Sequence, residues 1–313
     1  MDLRIEEGDA GERLDKVIAR RSSLGRARVA ELFAGGAVSV VDAEGRRRKA
    51  RKGDRAEPGT VVALAIAEGD LERAALPDPD LSLVIALERA DIVVVDKPAG
   101  IASAPIASGE RGTIANALRA RYPEMAEVGF STREPGLCHR LDTDTSGLLL
   151  AARTARAFDA IVSGIKYGSL DKRYQLVCEL VDGAVLDDAG STDLPLAGHP
   201  SDARRVVACR EPQQVERLRA RPALTSYRVL QRSGRRALVE ASASKAFRHQ
   251  IRAHFAALGA PLVGDALYGS PSELGRHALH ASRLAWPGEG GVPAFEVESP
   301  LPAELAALLD SRG

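Results

Sequence analysis

Apolar positions near the amino terminus recur at helical spacing, first Leu14, Val17 and Ile18, then Val29, Leu32 and Phe33. Gly35-Gly36 ends that pattern as a helix stop should. Val38 and Val40, then Val61, Val62, Leu64 and Ile66, suggest short strands, and Gly53-Asp54 and Pro58-Gly59 mark turns. This small unit is placed at residues 1–66. Residues 67–82 are acidic, proline-bearing and aperiodic, and read as a linker. A larger domain is expected over 83–313. It opens on the buried-type strand at Ile92 to Val95, with a turn from Asp96 to Gly100. Thr113 to Arg121 reads as a helix. Leu148 to Ala152 reads as a strand, followed by Thr154 as the N-cap of a helix to about Ile165. Lys172 to Val181 alternates as a strand does, with Tyr174, Leu176 and Cys178 on one face and Val177 on the other. Tyr227 to Leu230 and Ala237 to Ala241 pair across a turn at Ser233-Gly234. A helix from His249 to Leu258 stops at Gly259.

A chain of 313 residues that is 45% hydrophobic can bury a substantial core. Its apolar runs are far shorter than a bilayer requires, and the opening MDLRIEEGDAGERLDK is charged, so a cytoplasmic protein without membrane contact is expected. Cys138, Cys178 and Cys209 are widely separated, which supports neither a zinc ribbon nor a disulfide framework. The six histidines form no zinc-binding pair; His249 and His254, five apart, fall on different sides of a helix. No metal is expected. The formal net charge is zero, but it is unevenly spread. From Arg20 to Arg55 eleven basic residues face four acidic ones, a net of +7 that the rest of the chain balances. Such a run is usually a solvated face, and only seven of the 43 basic residues are lysine. A basic module beside an acidic remainder is also the footprint of a local nucleic-acid contact. Together with GERLDKVIA, SLGRARVAELFAGGAVSV and the KGD turn at Lys52 to Asp54, it resembles the small αL RNA-binding domain of some ribosomal proteins and many RNA-modifying enzymes. Arg26, Arg28, Arg47 and Lys49 are its candidate RNA contacts.

Four segments of the larger domain carry reactive groups. In HRLDTDTSG (139–147) a turn-forming run precedes a core strand, and Asp142 either caps its own turn or faces a cleft from the strand end. In FRHQIRAH (247–254) helical spacing puts Arg248 with Arg252, and His249 with Arg252, on one face. Alone, that segment reads as a solvated amphipathic helix, although an arginine there would suit a carboxylate or a phosphate. Tyr174 in DKRYQL is by default a core tyrosine, and alternatively a stacking platform with a polar tip. APLVGDALYGS (260–270) reads as scaffold, with Asp265 a turn cap.

In this order and spacing the chain resembles the RluA-type RNA pseudouridine synthases. The matching residues are DKPAG at 96–100, HRLDTDTSG at 139–147, KRY at 172–174, HQIRAH at 249–254, PLVGDALYG at 261–269 and HALHASRL at 277–284. Two departures stand out. Ala246-Phe247 replaces the usual Gly-Arg, with Arg248 one step later, and Ala104-Pro105 replaces a usual His-Pro. Both bear on substrate contacts rather than on Asp142.

The resemblance implies an α+β fold: a mixed, mostly antiparallel central sheet, split by a cleft and flanked by helices, preceded by the small α/β RNA-binding domain. It implies isomerisation of uridine in RNA to pseudouridine, with no cofactor. Asp142 becomes the catalytic carboxylate, and Arg252 its partner, since an opposite charge favours the ionised form. Tyr174 offers a face for the extruded uracil and a hydroxyl for the closing proton transfer. Arg140, on the same side as Asp142 if a strand alternates there, fills the gap in the stack. Arg248 is a further RNA contact, and His139 supports the strand end. Ribosomal RNA of the large subunit is expected ahead of transfer RNA, and a monomer ahead of an oligomer. Two other readings remain open: an idle RNA-binding protein such as a ribosome-assembly factor, and a carboxylate-dependent nucleoside hydrolase.

Overall fold

The computed structural model describes residues 1–22, 24, 26–66, 74–107, 109–243, 247–269 and 274–310, the side chains of 26–28 excepted. Residues 67–73 of the expected linker, Ala246, and the side chains of Arg26 and Arg28 therefore lie outside the described residues.

The amino-terminal elements are β1 (Asp2–Arg4), α1 (Leu14–Arg21), α2 (Arg26–Gly35), β2 (Val38–Val41), β3 (Arg47–Lys49) and β4 (Val61–Leu64). Their strands form one antiparallel sheet in the order β1-β4-β2-β3. The helical stripes read from sequence do supply the packing: Leu14, Val17, Ile18, Val29, Leu32 and Phe33 join Val38, Val40 and Val62 in a single buried cluster. The basic segment after β2 is not the loop its composition suggests. Arg47 to Lys49 pair with β2 as an edge strand whose side chains are all exposed.

The larger part contains β5 (Ile85–Glu88), β6 (Ile92–Lys97), α3 (Ile114–Arg121), β7 (Ser146–Ala152), α4 (Ala155–Tyr167), β8 (Asp171–Glu179), β9 (Ala189–Thr192), β10 (Leu196–Gly198), β11 (Val206–Ala208), α5 (Pro212–Leu218), β12 (Thr225–Ser233), β13 (Arg236–Ser242), α6 (Gln250–Ala257), β14 (Leu279–Trp286), β15 (Phe295–Glu298) and α7 (Ala303–Ala306). Nine strands form one sheet in the order β5-β6-β7-β14-β8-β13-β12-β9, with β15 beside β14. The order is mixed, as expected: β7 pairs β14 in parallel, and the other ladders are antiparallel. β10 and β11 make a separate two-stranded ribbon.

β6 and β7 are near-continuous apolar runs because both of their faces are covered. Val93, Val95, Leu149 and Ala151 pack on one side with Ile114, Leu118, Ile251 and Phe255. Ile92, Val94, Leu148 and Leu150 pack on the other with Phe158, Ile161 and Trp286. Alternation on β8 also holds, since Tyr174, Leu176 and Cys178 join the first cluster and Val177 a third. Thr154 caps α4 by accepting the Ala157 N–H at 3.2 Å. Ala75 is buried against the first cluster, and its N–H donates to the Thr132 carbonyl at 2.9 Å. No helix among the described residues is long and apolar enough to cross a membrane.

The parallel pairing of β7 and β14 positions the site. It extends over only His280–Ser146 and Ala281–Gly147, so the two strands diverge beyond it. The chain enters β7 through the 142–145 turn at that divergence. Gly147 sits at φ 106°, where a side chain would be strained and would strike the Ala281 backbone. On the far side of β14, Tyr174 is registered with Ala281. Tyr174 therefore lies one strand across from the segment that carries Asp142.

Candidate active site

Residues 139–145 are not a strand, contrary to the alternation expected of Arg140 and Asp142; β7 begins only at Ser146. The segment is a tied-down turn, in which Asp142 accepts the Thr145 N–H through its backbone carbonyl at 3.0 Å. Lys97, at the end of β6, is fully buried, and its ammonium donates to the carbonyls of Pro98, Ile101 and Thr143 at 2.8 Å each. It thereby fastens the turn after β6 to the turn that bears Asp142. Burial pushes the Lys97 pKa down to about 8, against the pull of Asp144 and Asp142. Ser103 reinforces the join, donating to the Leu141 carbonyl at 2.7 Å.

The Asp142 side chain is 27% exposed, open to a cleft and not sealed in the core. Its Oδ2 accepts a hydrogen bond from Arg252 Nη1 at 2.8 Å. Arg252 rises from the first turn of α6, and Nε and Nη2 grip Asp265 at 2.7 and 2.8 Å, a bidentate fork. Asp265 also accepts the N–H groups of Leu267 and Tyr268, so it is the turn cap its sequence suggests and the anchor of Arg252 as well. Burial works against the charge on Arg252, but Asp265 and then Asp142 outweigh it and raise its pKa. Burial likewise opposes ionisation of Asp265, and Arg252 reverses the balance and lowers its pKa.

α6 is not a solvated amphipathic helix. Gln250 to Phe255 are all buried, because the polar members have partners. Gln250 donates to the Leu224 carbonyl and Thr225, and His254 joins Thr225 to the Leu194 carbonyl. Arg248 precedes the helix and does not share a face with Arg252; it is exposed and donates to the carbonyls of Ala203 and Arg205. His249, the residue before α6, has left-handed backbone at φ 55° and brings Nε2 to 3.7 Å from Asp142 Oδ2. As predicted from spacing, His249 and His254 point to different surroundings.

Tyr174 is buried and lines one cavity with Arg140, Asp142, Phe247, His249 and Arg252. Burial, and then the nearby Asp142, push its phenol pKa up, so the hydroxyl is a donor and not a base at neutral pH. A second cavity of about 270 Å³ adjoins through Asp142, His249 and Arg252, and runs to Asp144, Arg276 and His277. His277 is held by Thr145 at 2.7 Å, and burial lowers its pKa. Arg140 is exposed and pairs with Glu134 at 2.8 Å. The sequence shows no site role for Lys97, Asp265, Tyr268 and His277, and for His249 only a helical face shared with Arg252. Each lies inside a matching segment, but its contacts run to other segments.

His139 does support the strand end. Its Nε2 accepts the Leu150 N–H at 3.1 Å, and burial, helped by Lys172, pushes its pKa down to about 3. The neutral ring belongs to the folded state, whereas the unfolded chain takes up the proton near pH 6.5. Its contribution is therefore complete above pH 6.5 and is lost as pH falls toward 3. Urea unfolding should show stability falling from pH 6.5 to 4, with a shallower slope in His139→Gln; equal slopes would count against this role.

These elements define an α+β protein whose cleft holds a carboxylate fixed by a buried guanidinium beside a buried tyrosine. The family described as RNA pseudouridylate synthase matches residues 91–257, a span that contains Asp142, Tyr174 and Arg252. A Bacillus subtilis protein described as the uncharacterized RNA pseudouridine synthase YlyB is 30% identical over 315 residues, 99% of this chain and 97% of its own length. The ribosomal large subunit pseudouridine synthase D of Xanthomonas campestris is 31% identical over 98% of this chain and 91% of its own. The chain belongs to the RNA pseudouridylate synthase family, whose activity is an isomerisation. The human RNA pseudouridylate synthase domain containing 4 shares the fold at TM-score 0.54 and 22% identity, over 72% of this chain and 92% of its own.

Proposed function

We propose that the protein is an RluA-type synthase that converts particular uridines of large-subunit ribosomal RNA to pseudouridine in the cytoplasm, as a monomer, with Asp142 as its catalytic carboxylate. The observation that carries this reading is the Asp142 carboxylate, open to the cleft and held at 2.8 Å by Arg252, in the cavity that Tyr174 lines. The uracil N1–C1′ bond breaks while Asp142 acts on the ribose. The base turns, C5 bonds to C1′, C5 loses its proton and N1, freed from the ribose, takes one up; atoms and charge balance without redox change.

An RNA base cannot reach this cavity while stacked, so the target uridine is extruded, at a cost of a few kcal/mol. In this reading Arg140 fills the vacated position. Its exposed pair with Glu134 is worth only about 0–1 kcal/mol, so contact with RNA can exchange it. Tyr174 supplies an apolar face to the base and a protonated hydroxyl at its edge.

The amino-terminal unit is the RNA clamp in this reading, an αL-like domain over residues 1–66 joined through 67–82 to a catalytic domain over 83–313. Arg46 and Arg48 are paired with Asp42, Glu44 and Asp54, whereas Arg47 and Lys49 have no acidic partner among the described residues. Lys49, Arg51 and Lys52 rim a groove of about 640 Å³ floored by Ala30, Phe33 and Ala34. Arg26 and Arg28 remain candidate contacts of the same unit, and Arg248 of the catalytic domain.

Pseudouridine mapping of RNA from strains with and without the gene tests the proposal. Loss of discrete ribosomal RNA sites on deletion, restored by the wild-type chain and weakly by Arg47→Glu with Lys49→Glu, is the expected result. Unchanged RNA would favour an idle RNA-binding protein, and lost transfer RNA sites would move the substrate.

A further inference from the structure

Among the described residues, both polar contacts to the Asp142 carboxylate fall on one oxygen. Arg252 Nη1 donates to Oδ2 at 2.8 Å, and His249 Nε2 approaches the same Oδ2 at 3.7 Å. Oδ1 accepts no hydrogen bond among the described residues.

His249 is held in place by an arrangement of its own. Its backbone occupies the left-handed region at φ 55°, which a non-glycine residue adopts only where its surroundings require it. Its side chain makes no capping bond to α6. Instead Nδ1 lies 3.1 Å from the Tyr268 hydroxyl, and the two rings meet edge to face with centroids 5.8 Å apart. The same hydroxyl accepts the Val206 N–H at 2.8 Å, so the β10–β11 ribbon fixes it. The Tyr268 ring in turn lies 5.3 Å from the Arg252 guanidinium carbon.

The Tyr268 hydroxyl, with Val206 N–H on its oxygen, still has its own proton to donate, and Nδ1 is the acceptor within reach. With that hydrogen bond made, the ring proton sits on Nε2. The opposite tautomer would aim a lone pair at the carboxylate. At 3.7 Å the Nε2–H attracts Oδ2 without hydrogen-bonding it.

We propose that His249 is a positioning residue: with Arg252 it engages Oδ2 of Asp142, so that Oδ1 is the oxygen presented to the ribose of the target uridine. The inference rests on the function proposed above and assigns a direction to its carboxylate. Tyr268 acts one step further out, by orienting the imidazole.

The test is single-turnover conversion of ribosomal RNA prepared from a strain lacking the gene, with RNA affinity measured alongside. Asparagine tolerates left-handed backbone, so His249→Asn keeps the turn and removes the Nε2 donor. Its rate should fall about 10- to 100-fold, the scale of a misplaced reacting group, with affinity within about two-fold. Tyr268→Phe should fall less, and the double variant should be no slower than His249→Asn. Nitrogen-15 NMR of the wild type, with the signal assigned by its loss in His249→Asn, should show the Nε2–H tautomer. A wild-type rate in His249→Asn, additive losses in the double variant, or an Nδ1–H tautomer would overturn the proposal. If His249→Asn does not fold, Tyr268→Phe and the tautomer decide it. Asp142→Asn in the same assay separates the two levels: were it active, the proposed function itself would fail, whereas a dead Asp142→Asn beside a fully active His249→Asn removes only the role of His249.

Discussion

Arg252→Met is expected to yield a protein that is both less stable and nearly inactive. The two losses have separate origins in one side chain. Asp265 is 1% exposed, and among the described residues its side chain's other hydrogen bonds come from the N–H groups of Leu267 and Tyr268. Removing the guanidinium leaves a buried carboxylate unpaired, which costs about 3–5 kcal/mol of folding free energy. The same change releases Asp142 Oδ2, and if Asp142 acts as proposed, losing a preorganised donor at it lowers the rate by about 10²–10³-fold. Arg252→Lys keeps a positive charge but has no fork to span both carboxylates, so it should recover stability only in part and little rate. Asp265→Asn should show the reverse balance, with stability reduced and rate less affected, because Nη1 can still meet Asp142. Urea unfolding and single-turnover rates on the three variants check this. Strong coupling in the Arg252–Asp265 stability cycle is expected. A stable, active Arg252→Met would show that the pair with Asp142 is incidental.

Segments whose structure is set by their own composition were legible in the sequence. β6 and β7 announce themselves as apolar runs, and α4 as a capped amphipathic helix with Thr154 at its start. The alternation of Tyr174 against Val177 was legible for the same reason. β1 and β3 were not, because three-residue strands such as Arg-Arg-Lys carry no apolar alternation, and only pairing with β4 and β2 makes them strands. The segment around Arg252 reads as amphipathic because its polar residues look suited to water. Their partners lie elsewhere in the chain: Asp142 is 110 residues away, Thr225 supports His254, and Leu224 receives Gln250. Family resemblance, not local pattern, points to Asp142, Tyr174 and Arg252, and the fold brings them to one cavity. The roles of Lys97, Tyr268 and His277, and the grip of Asp265 on Arg252, were not legible because each acts by holding another segment, and a holding role has no local pattern. Arg248 shows the converse: spacing placed it on the face of Arg252, but the left-handed backbone at His249 breaks the helical repeat before it.

Asp142→Asn bears on the chemistry alone. Asparagine preserves the size of the side chain and can still accept from Arg252, while Asp265 continues to compensate the guanidinium. Stability should therefore change by no more than about 1 kcal/mol. What is lost is the negative oxygen proposed to act on the ribose, so pseudouridine formation should fall by at least about 10³-fold. Affinity for RNA should stay close to wild type, because backbone contacts from basic residues dominate it. The decisive measurement is pseudouridine formed in a single turnover by saturating wild-type protein and by Asp142→Asn on the same unmodified ribosomal RNA. The account predicts conversion by the first and none above background by the second, at equal RNA occupancy. Conversion by Asp142→Asn within ten-fold of wild type would contradict it.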